Sequence, residues 1–532
     1  MNYKKQRRAI ITIVVVWILS ATMLFTATSL FAQNKSSGSD LYSQLGLFSE
    51  VLQKLKQNYV TELKDEELIK AAINGMLSST DPHTTYFPKE EFEEFTTSTK
   101  GSFGGLGIQI DKIGDYITVI SPIEGTPAYR MGITTGDRII KVDDISLIGA
   151  STDEAIKHMR GEVGTTVTIT ISRPGVEKPL EFTLTREVIK IKSIPYYFKL
   201  DNGAGYIRIS QFNENTVQEL RTALNSLENE GIRALIIDLR WNPGGLLDQA
   251  VDTVNEFIGP NKLVVETKGR IPTSNRQYFT RYNTKSRNYP IIVLVNEASA
   301  SASEIFAGSM QDWDKGLVIG KPTFGKGSVQ QLIPLMNGGG LKVTTAYYYI
   351  KSGRCIHKNI NDKILLGKEV TEKDQEAEKE KNLQQVYYTV NKRIVYGGGG
   401  ITPDIEVDAD LMTNFGMELR RQNAFFNFAV DYMVEHQHKL DKNFVVTDEL
   451  MNQFLNYVED KGISYTQADL DSTDTYIRTM LKSELIRNVY GDTEAYKASI
   501  NLDKQLQTAI NLLNKYPSMD ALFDYAATQN KR

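Results

Sequence analysis

Residues 9–32 carry no charged side chain and follow a basic flank of Lys4, Lys5, Arg7 and Arg8. A secretory apolar region needs about 7–15 residues and a membrane-spanning helix about 20. This stretch is long enough to span, with its basic flank on the cytoplasmic side. Ser29-Leu30-Phe31-Ala32 before Gln33 also reads as a cleavage site, although Leu30 fits the small-residue rule poorly. An uncleaved anchor and a removed signal peptide are the two expectations, and both predict export. A buried core helix is excluded, because the segment has no polar face to meet water.

Beyond it, residues 41–94 show helical spacing at Phe48, Val51, Leu52, Leu55 and Tyr59. Gly- and Ser-rich residues 100–107 then switch the period. Leu106, Ile108 and Ile110 alternate with polar or small residues, as do residues 116–120 and 167–171, and these read as strands. Pro122, Gly125, Pro127 and Gly136-Asp137 mark turns, and residues 151–160 a short helix. Residues 101–187 therefore predict a small β-rich domain. From Gly205 apolar strands alternate with helices, with strands at 206–209, 234–239, 291–295 and 317–319 and helices at 215–230 and 303–312. That order implies an α/β core with its site at the carboxyl ends of the strands. Residues 368–381 read as a charged exposed helix and 412–532 as a further helical region.

With 532 residues, 41% hydrophobic and 24% charged, the chain can hold two to four soluble domains. A net charge of -4 gives no reason to expect nucleic acid as a partner. The single cysteine, Cys355, excludes an internal disulfide. His83, His158, His357, His436 and His438 lack metal-site spacing, so a zinc hydrolase is not expected and no metal or other cofactor is called for.

Candidate chemistry lies at two strand ends. Ser299-Ala300-Ser301-Ala302-Ser303-Glu304 starts a helix, where free N–H groups favour developing negative charge. Ser301 and Glu304 also match the S-x-x-E capping box, the commoner use of such a serine, and Ser299 and Ser303 compete as nucleophiles. Downstream, Phe324-Gly325-Lys326-Gly327-Ser328-Val329-Gln330 offers a lysine among glycines. A lysine is a base for serine only when neutral, and burial favours that form. If a strand begins here, Lys326, Ser328 and Gln330 share a face, and Gln330 can orient the lysine. Gly320 to Lys326 also fits a phosphate loop, but Gly327 stands where magnesium needs Ser or Thr, and a strand follows instead of a helix. Asn242-Pro243-Gly244-Gly245 offers backbone N–H groups at a strand end, as an oxyanion site or an ordinary turn. The 101–107 loop beside a strand suits capture of a peptide's terminal carboxylate.

Together these residues resemble the carboxyl-terminal processing peptidases, serine peptidases of the tail-specific group (family S41). The resemblance covers about residues 41–407. It rests on Ser79-Thr80-Asp81-Pro82-His83-Thr84-Thr85-Tyr86, Gly104-Gly105-Leu106-Gly107-Ile108, Asp238-Leu239-Arg240-Trp241-Asn242-Pro243-Gly244-Gly245, the Ser299 and Lys326 segments, and Gly400-Ile401-Thr402-Pro403-Asp404. It implies a multidomain α/β protein with a ClpP/crotonase-like protease core, a β-rich PDZ domain at 101–187, and helical N- and C-terminal regions. The implied nucleophile is Ser301 and the base Lys326, supported by Gln330. The implied oxyanion donors are Ala302 with Gly244 or Gly245. An acidic relay residue maps to Asp312, but eleven helical residues span about 16 Å, too far for contact with Ser301. Gly104, Gly105, Leu106, Gly107 and Ile108 are the implied peptide-binding loop and strand; the resemblance also implies that the domain can block or gate the active site, with residues 188–195 as hinge.

The expected organisation is thus an anchor or signal peptide at 1–32, a helical region at 41–100, the PDZ domain at 101–187, the peptidase core at 188–407 and a helical region at 408–532. An insertion at about 358–395 separates Tyr348-Tyr349-Ile350-Lys351-Ser352-Gly353-Arg354 from the Gly400 motif. The insertion and the tail depart from the family pattern and are candidates for oligomerisation or partner docking. The expected activity is endoproteolysis near the C-termini of substrates with free apolar ends, on the extracytoplasmic side of the cell envelope. A non-catalytic PDZ scaffold is the competing expectation, opposed by the joint presence of Ser301, Lys326 and Gln330.

Overall fold

The computed structural model describes residues 38–358, 385–409, 412–436, 440–441 and 443–529, with a few positions between 363 and 377. The apolar stretch 9–32 and most of the charged helix expected at 368–381 lie outside the described residues. The chain divides into two units, Met1–Ser79 and Thr80–Arg532. In the first, helices Gly38–Asn58 and Asp65–Ser78 follow the expected period, and Phe48, Val51, Leu55 and Tyr59 are exposed.

The second unit begins with a departure from the helical expectation for 41–94. Asp81 accepts the N–H groups of His83 (2.8 Å) and Thr84 (3.0 Å), while Pro82 offers no donor to extend a helix. The β-prone Thr85–Phe87 then becomes a strand, antiparallel to Gly340–Ile350. Gly340–Ile350 also pairs with Ser328–Pro334 and Leu263–Lys268, and the latter with Arg276–Phe279.

The α/β core is a six-stranded sheet in the order Tyr197–Lys199, Ala204–Arg208, Ala234–Asp238, Ile291–Val295, Leu317–Gly320 and Ile405–Glu406, parallel except for the first strand. Parallel strands are buried on both faces and read as continuous apolar runs. Ile207, Leu235, Ile237, Ile291 and Val293 face Leu220, Leu224, Val251, Val254, Ile305 and Phe306 from helices Thr216–Asn229, Leu247–Ile258 and Ala302–Asp312. The alternate residues, including Tyr206, Ile236, Ile292 and Leu294, face Leu506, Ala509, Leu513, Leu522 and Phe523. Those belong to Lys504–Lys515 and Met519–Gln529, the last two helices of the chain.

The tail is therefore not one separate region. Asn414–Arg421, Ala424–Glu435, Asp448–Asp460 and most of Gln467–Ser499 enclose their own core around Leu419, Phe425, Phe454 and Leu481. The final two helices instead cover a face of the sheet.

The β-rich domain is a sheet in the order Ile108–Ile113, Tyr116–Pro122, Arg138–Val142, Thr166–Ser172, Leu180–Thr185, with helix Thr152–Met159 beside it. Within that sheet Ile108–Ile113 pairs only with Tyr116–Pro122, so its other edge is open. A neck of Ser102–Gly105 paired with Glu187–Lys190 joins the domain to the core.

Candidate active site

Ser301 sits shortly after a parallel strand and immediately before helix Ala302–Asp312, with φ 54° and ψ -113°. Positive φ is strained for a residue with a side chain and is held by its surroundings. The expected capping box contributes to holding it: the Glu304 carboxylate accepts the Ser301 N–H at 2.8 Å. Tyr348 lines the same cavity as Ser301, and its phenol is pushed up chiefly by burial while the nearby Ser301 side chain lowers it. The competing serines are engaged elsewhere. Ser299 Oγ donates to the Leu239 carbonyl (2.9 Å) and Ser303 Oγ to the Asn242 carbonyl (3.0 Å).

Gly244 lies against this turn. At φ 101°, a Cβ there would meet the Ala300 carbonyl and Ser301 Cβ at 2.7 Å and Ala302 N at 2.9 Å. Its own N–H is occupied by Asn242 Oδ1 at 2.9 Å. No described residue accepts the N–H of Gly245 or of Ala302. Of the expected pair of glycines, Gly245 is the one whose N–H has no described acceptor.

Lys326 lies on the loop before Ser328–Pro334 and shares with Ser301 a cavity of about 830 Å³, also lined by Gly244, Gly245, Gln330 and Tyr348. Burial lowers its pKa first and the Lys342 ammonium lowers it further, while Glu304 and Asp81 oppose them. No described carboxylate forms an ion pair with it. Its backbone N–H donates to Glu304 at 2.9 Å. A strand follows Lys326, as expected, and not the helix a phosphate loop requires.

Gln330 lines the cavity but does not hydrogen-bond Lys326. Its Nε2 donates to Ser328 Oγ (2.8 Å) and to Thr344 Oγ1 (3.4 Å). The simple alternation expected of Lys326, Ser328 and Gln330 fails because the strand begins at Ser328, and its register shifts between Val329 and Gln330. Asp312 is a second correction. It lies outside the cavity, fully buried, paired with Arg354 at 2.9 Å and accepting the Ser352 N–H at 2.7 Å. Burial raises its pKa while Arg354 opposes the rise.

Glu304 is the residue that sequence reasoning undervalued. One oxygen takes the N–H groups of Ser301 and Lys326, and the other takes that of Gly325 (2.7 Å) and the Thr323 hydroxyl (2.5 Å). Burial pushes its pKa up to about 7 against these hydrogen bonds. The S-x-x-E spacing is its only signal in the sequence, and that spacing reaches Ser301 but says nothing of the lysine loop. Lys342, half-buried beside Lys326, leaves no signal beyond strand alternation.

A second, smaller cavity of about 150 Å³ lies between the open edge of Ile108–Ile113 and helix Thr152–Met159. It is lined by Gly105, Leu106, Gly107, Ile108, Ile156 and Met159. Gly104 lies beside it, its carbonyl accepting the Gly161 N–H at 3.2 Å.

Family profiles match three parts of the chain: "Peptidase family S41" at residues 203–366, "PDZ domain" at 104–184, and a family of unknown function at 415–491. A carboxy-terminal-processing protease of Bartonella bacilliformis is 40% identical over 353 residues, covering 66% of this chain and 80% of that relative. The chain belongs to the carboxy-terminal processing proteases of peptidase family S41. The carboxy-terminal processing protease CtpA of Bacillus subtilis is 33% identical over 351 residues, 65% of this chain and 74% of its own length. A solved photosystem II D1 C-terminal processing protease is 25% identical with a TM-score of 0.37, covering 67% of this chain and 86% of that one. As a carboxy-terminal processing protease, the chain is a serine-type peptidase carrying a PDZ domain in a multidomain α/β fold.

Proposed function

We propose that this carboxy-terminal processing protease is an exported endopeptidase that works through a Ser301–Lys326 dyad and captures the free C-terminus of its substrate on the PDZ domain. The single observation carrying the chemistry is that Ser301, Lys326 and Gly245 line one cavity, with the N–H groups of Gly245 and of Ala302, next to Ser301 in the chain, free of any described acceptor. Neutral Lys326 Nζ accepts the Ser301 hydroxyl proton as Oγ bonds to the substrate carbonyl carbon. The carbonyl oxygen takes up the negative charge at the two N–H groups. Collapse breaks the C–N bond, and Lys326 returns the proton to the leaving amine. Water, deprotonated by the same lysine, then bonds to the acyl carbon; the C–Oγ bond breaks and Lys326 returns the proton to Ser301 Oγ.

Capture is supported by the open edge of Ile108–Ile113 above an apolar groove closed by Ile156 and Met159. A peptide strand added there gains backbone hydrogen bonds, and its last side chain gains an apolar pocket. Export is supported by residues 9–32 behind their basic flank, which would hold the protein at the envelope by an anchor or leave it free after signal removal.

The test is cleavage of unfolded proteins by the chain without residues 1–37, beside Ser301→Ala and Lys326→Ala. Both variants should bind substrate and leave it intact. Cleavage surviving either change removes the dyad. Ile156→Asp should raise KM for free-carboxylate substrates without changing it for amidated ones. Equal KM values for the two substrate forms in the unaltered enzyme remove the capture role. Export is tested on the full chain by cell fractionation followed by N-terminal sequencing. A start at Gln33 indicates signal removal, an intact start in the membrane fraction an anchor, and retention in the cytoplasm rejects export.

A further inference from the structure

The catalytic cavity is lined by three cations, Arg276, Lys326 and Lys342, and by no Asp or Glu among the described residues. The chain as a whole carries a net charge of -4, so this sign is local. A cleft lined by one sign of charge concentrates ligands of the other. Lys326 acts as a base only when neutral, which leaves Arg276 and Lys342 as the standing charges. Arg276 is exposed at the start of strand Arg276–Phe279, where an ion pair with a substrate gains little. Lys342 is the half-buried one.

The ammonium of Lys342 is held in place but not neutralised. Its Nζ lies 5.3 Å from the centre of the Phe87 ring and 5.4 Å from that of Phe95, and the two rings stack at 5.0 Å. Phe95 itself lines the cavity. Aromatic rings attract a cation and fix its place without cancelling its charge. No described carboxylate forms an ion pair with Lys342. Asp81, the acid whose charge reaches it, has its oxygens engaged elsewhere. Oδ1 accepts the Thr344 hydroxyl at 3.1 Å beside the His83 and Thr84 N–H groups, and Oδ2 accepts the Thr84 hydroxyl at 2.8 Å. A partly desolvated cation without a partner is destabilising until an anion reaches it.

The place of Lys342 along the cavity follows from register. Val329, Gln330, Gln331 and Leu332 of strand Ser328–Pro334 line the cavity in succession, so a peptide lying there runs beside that strand. Lys342 stands across from Leu332, about 13 Å along the strand from Ser328. An extended substrate advances at the same rise, which puts the side chain opposite Lys342 roughly two to four residues from the scissile bond.

We propose that Lys342 is a specificity-determining residue that selects substrates carrying an Asp or Glu side chain roughly two to four residues from the scissile bond. This rests on the dyad reading above. The carboxylate it receives belongs to a side chain, because the substrate's own C-terminus is assigned to the groove beside Ile108–Ile113.

The measurement is kcat/KM for peptides of one sequence carrying Glu or Gln, in turn, at each of these positions on both sides of the cleaved bond. It is made on the plateau of the pH profile, where the charge on Lys326 no longer changes. At one position the unaltered enzyme should prefer Glu by about 10–100-fold, the effect of a hydrogen bond to a charged group. Lys342→Met should abolish that preference, and Lys342→Glu should turn it into a preference for Lys at the same position. Structural damage alone would slow the Glu and Gln peptides alike. Amidating the C-terminus should leave the preference standing. Equal cleavage of Glu and Gln peptides at every position, by an enzyme that Ser301→Ala silences, overturns the subsite and leaves the dyad intact. A Glu preference that survives Lys342→Met overturns the role of Lys342. A loss on amidation equal to that from Lys342→Met, with Glu and Gln cut alike, means the cavity reads a terminal carboxylate and rejects the side-chain subsite. Cleavage that persists in Ser301→Ala fails the dyad reading itself.

Discussion

Glu304 accepts the Lys326 backbone N–H at 2.9 Å through the same oxygen that takes the Ser301 N–H at 2.8 Å. The two loops that carry the proposed nucleophile and base are thereby fixed to one buried carboxylate, itself anchored on the first turn of helix Ala302–Asp312. The carboxylate also lies close enough to Lys326 to influence its protonation.

That electrostatic arrangement sets a signed pH prediction. Lys326 must be neutral to act, so kcat should rise with pH and level off below the ordinary lysine value of 10.5. Lys342→Met removes a positive neighbour, stabilises the Lys326 ammonium and should move the rising limb to higher pH. Glu304→Gln removes a negative neighbour and should move it to lower pH. Limbs that move together, or not at all, would contradict lysine as the base.

Glu304 also links stability to pH. Its pKa is raised from 4.5 to about 7, so between those values the folded chain keeps a proton that the unfolded chain has released. Its contribution is complete below 4.5 and falls as pH rises through about 7. Urea midpoints should decline across that window, and Glu304→Gln should flatten the decline. The substitution should also cost about 1–3 kcal/mol, because one amide oxygen cannot replace four accepted hydrogen bonds.

Gly245→Ala tests the oxyanion turn. Its Cβ would collide with the Phe212 carbonyl at 2.0 Å, so the turn must move. Loss of one oxyanion donor typically costs about 10²–10³-fold in kcat, with KM changing much less. Unchanged kcat would exclude Gly245 N–H from the reaction.

The C-terminal region is tied to the strand end that bears this turn. Arg240 donates to Asp503 at 2.6 and 2.7 Å and to Asp238 at 2.6 Å, and Asp238 also holds Tyr206 at 2.7 Å and Arg208 at 3.0 Å. Asp503→Asn should lower unfolding free energy by about 1.5–3 kcal/mol, the range for a hydrogen bond to a charged group. A denaturation midpoint equal to that of the unaltered chain would mean the tail helices hold without it.

Much of the core is readable in the sequence because parallel strands are dry on both faces and so leave apolar runs such as Ala234–Asp238 and Ile291–Val295. The helix after Ser301 and the strand after Lys326 are likewise legible from period and turn residues. The partner of Gln330 is not, since a bulge between Val329 and Gln330 leaves no mark on alternation. Nor is the strand Thr85–Phe87, whose pairing partners Gly340, Leu341 and Lys342 lie far along the chain.

By itself the sequence determined the local chemistry: a serine at a helix start, a lysine among glycines, and a glycine turn at a strand end, each readable from neighbours a few residues away. Tertiary structure alone decided which groups meet. It engaged the Gly244 N–H with Asn242 and left that of Gly245 without a described acceptor, withdrew Asp312 into a pair with Arg354, and made Glu304 the clamp between two loops. It also set the last two helices against the sheet. The reason is range: helical and strand periods act over neighbouring residues, whereas burial, desolvation and hydrogen-bond competition depend on groups that only folding brings within a few ångströms.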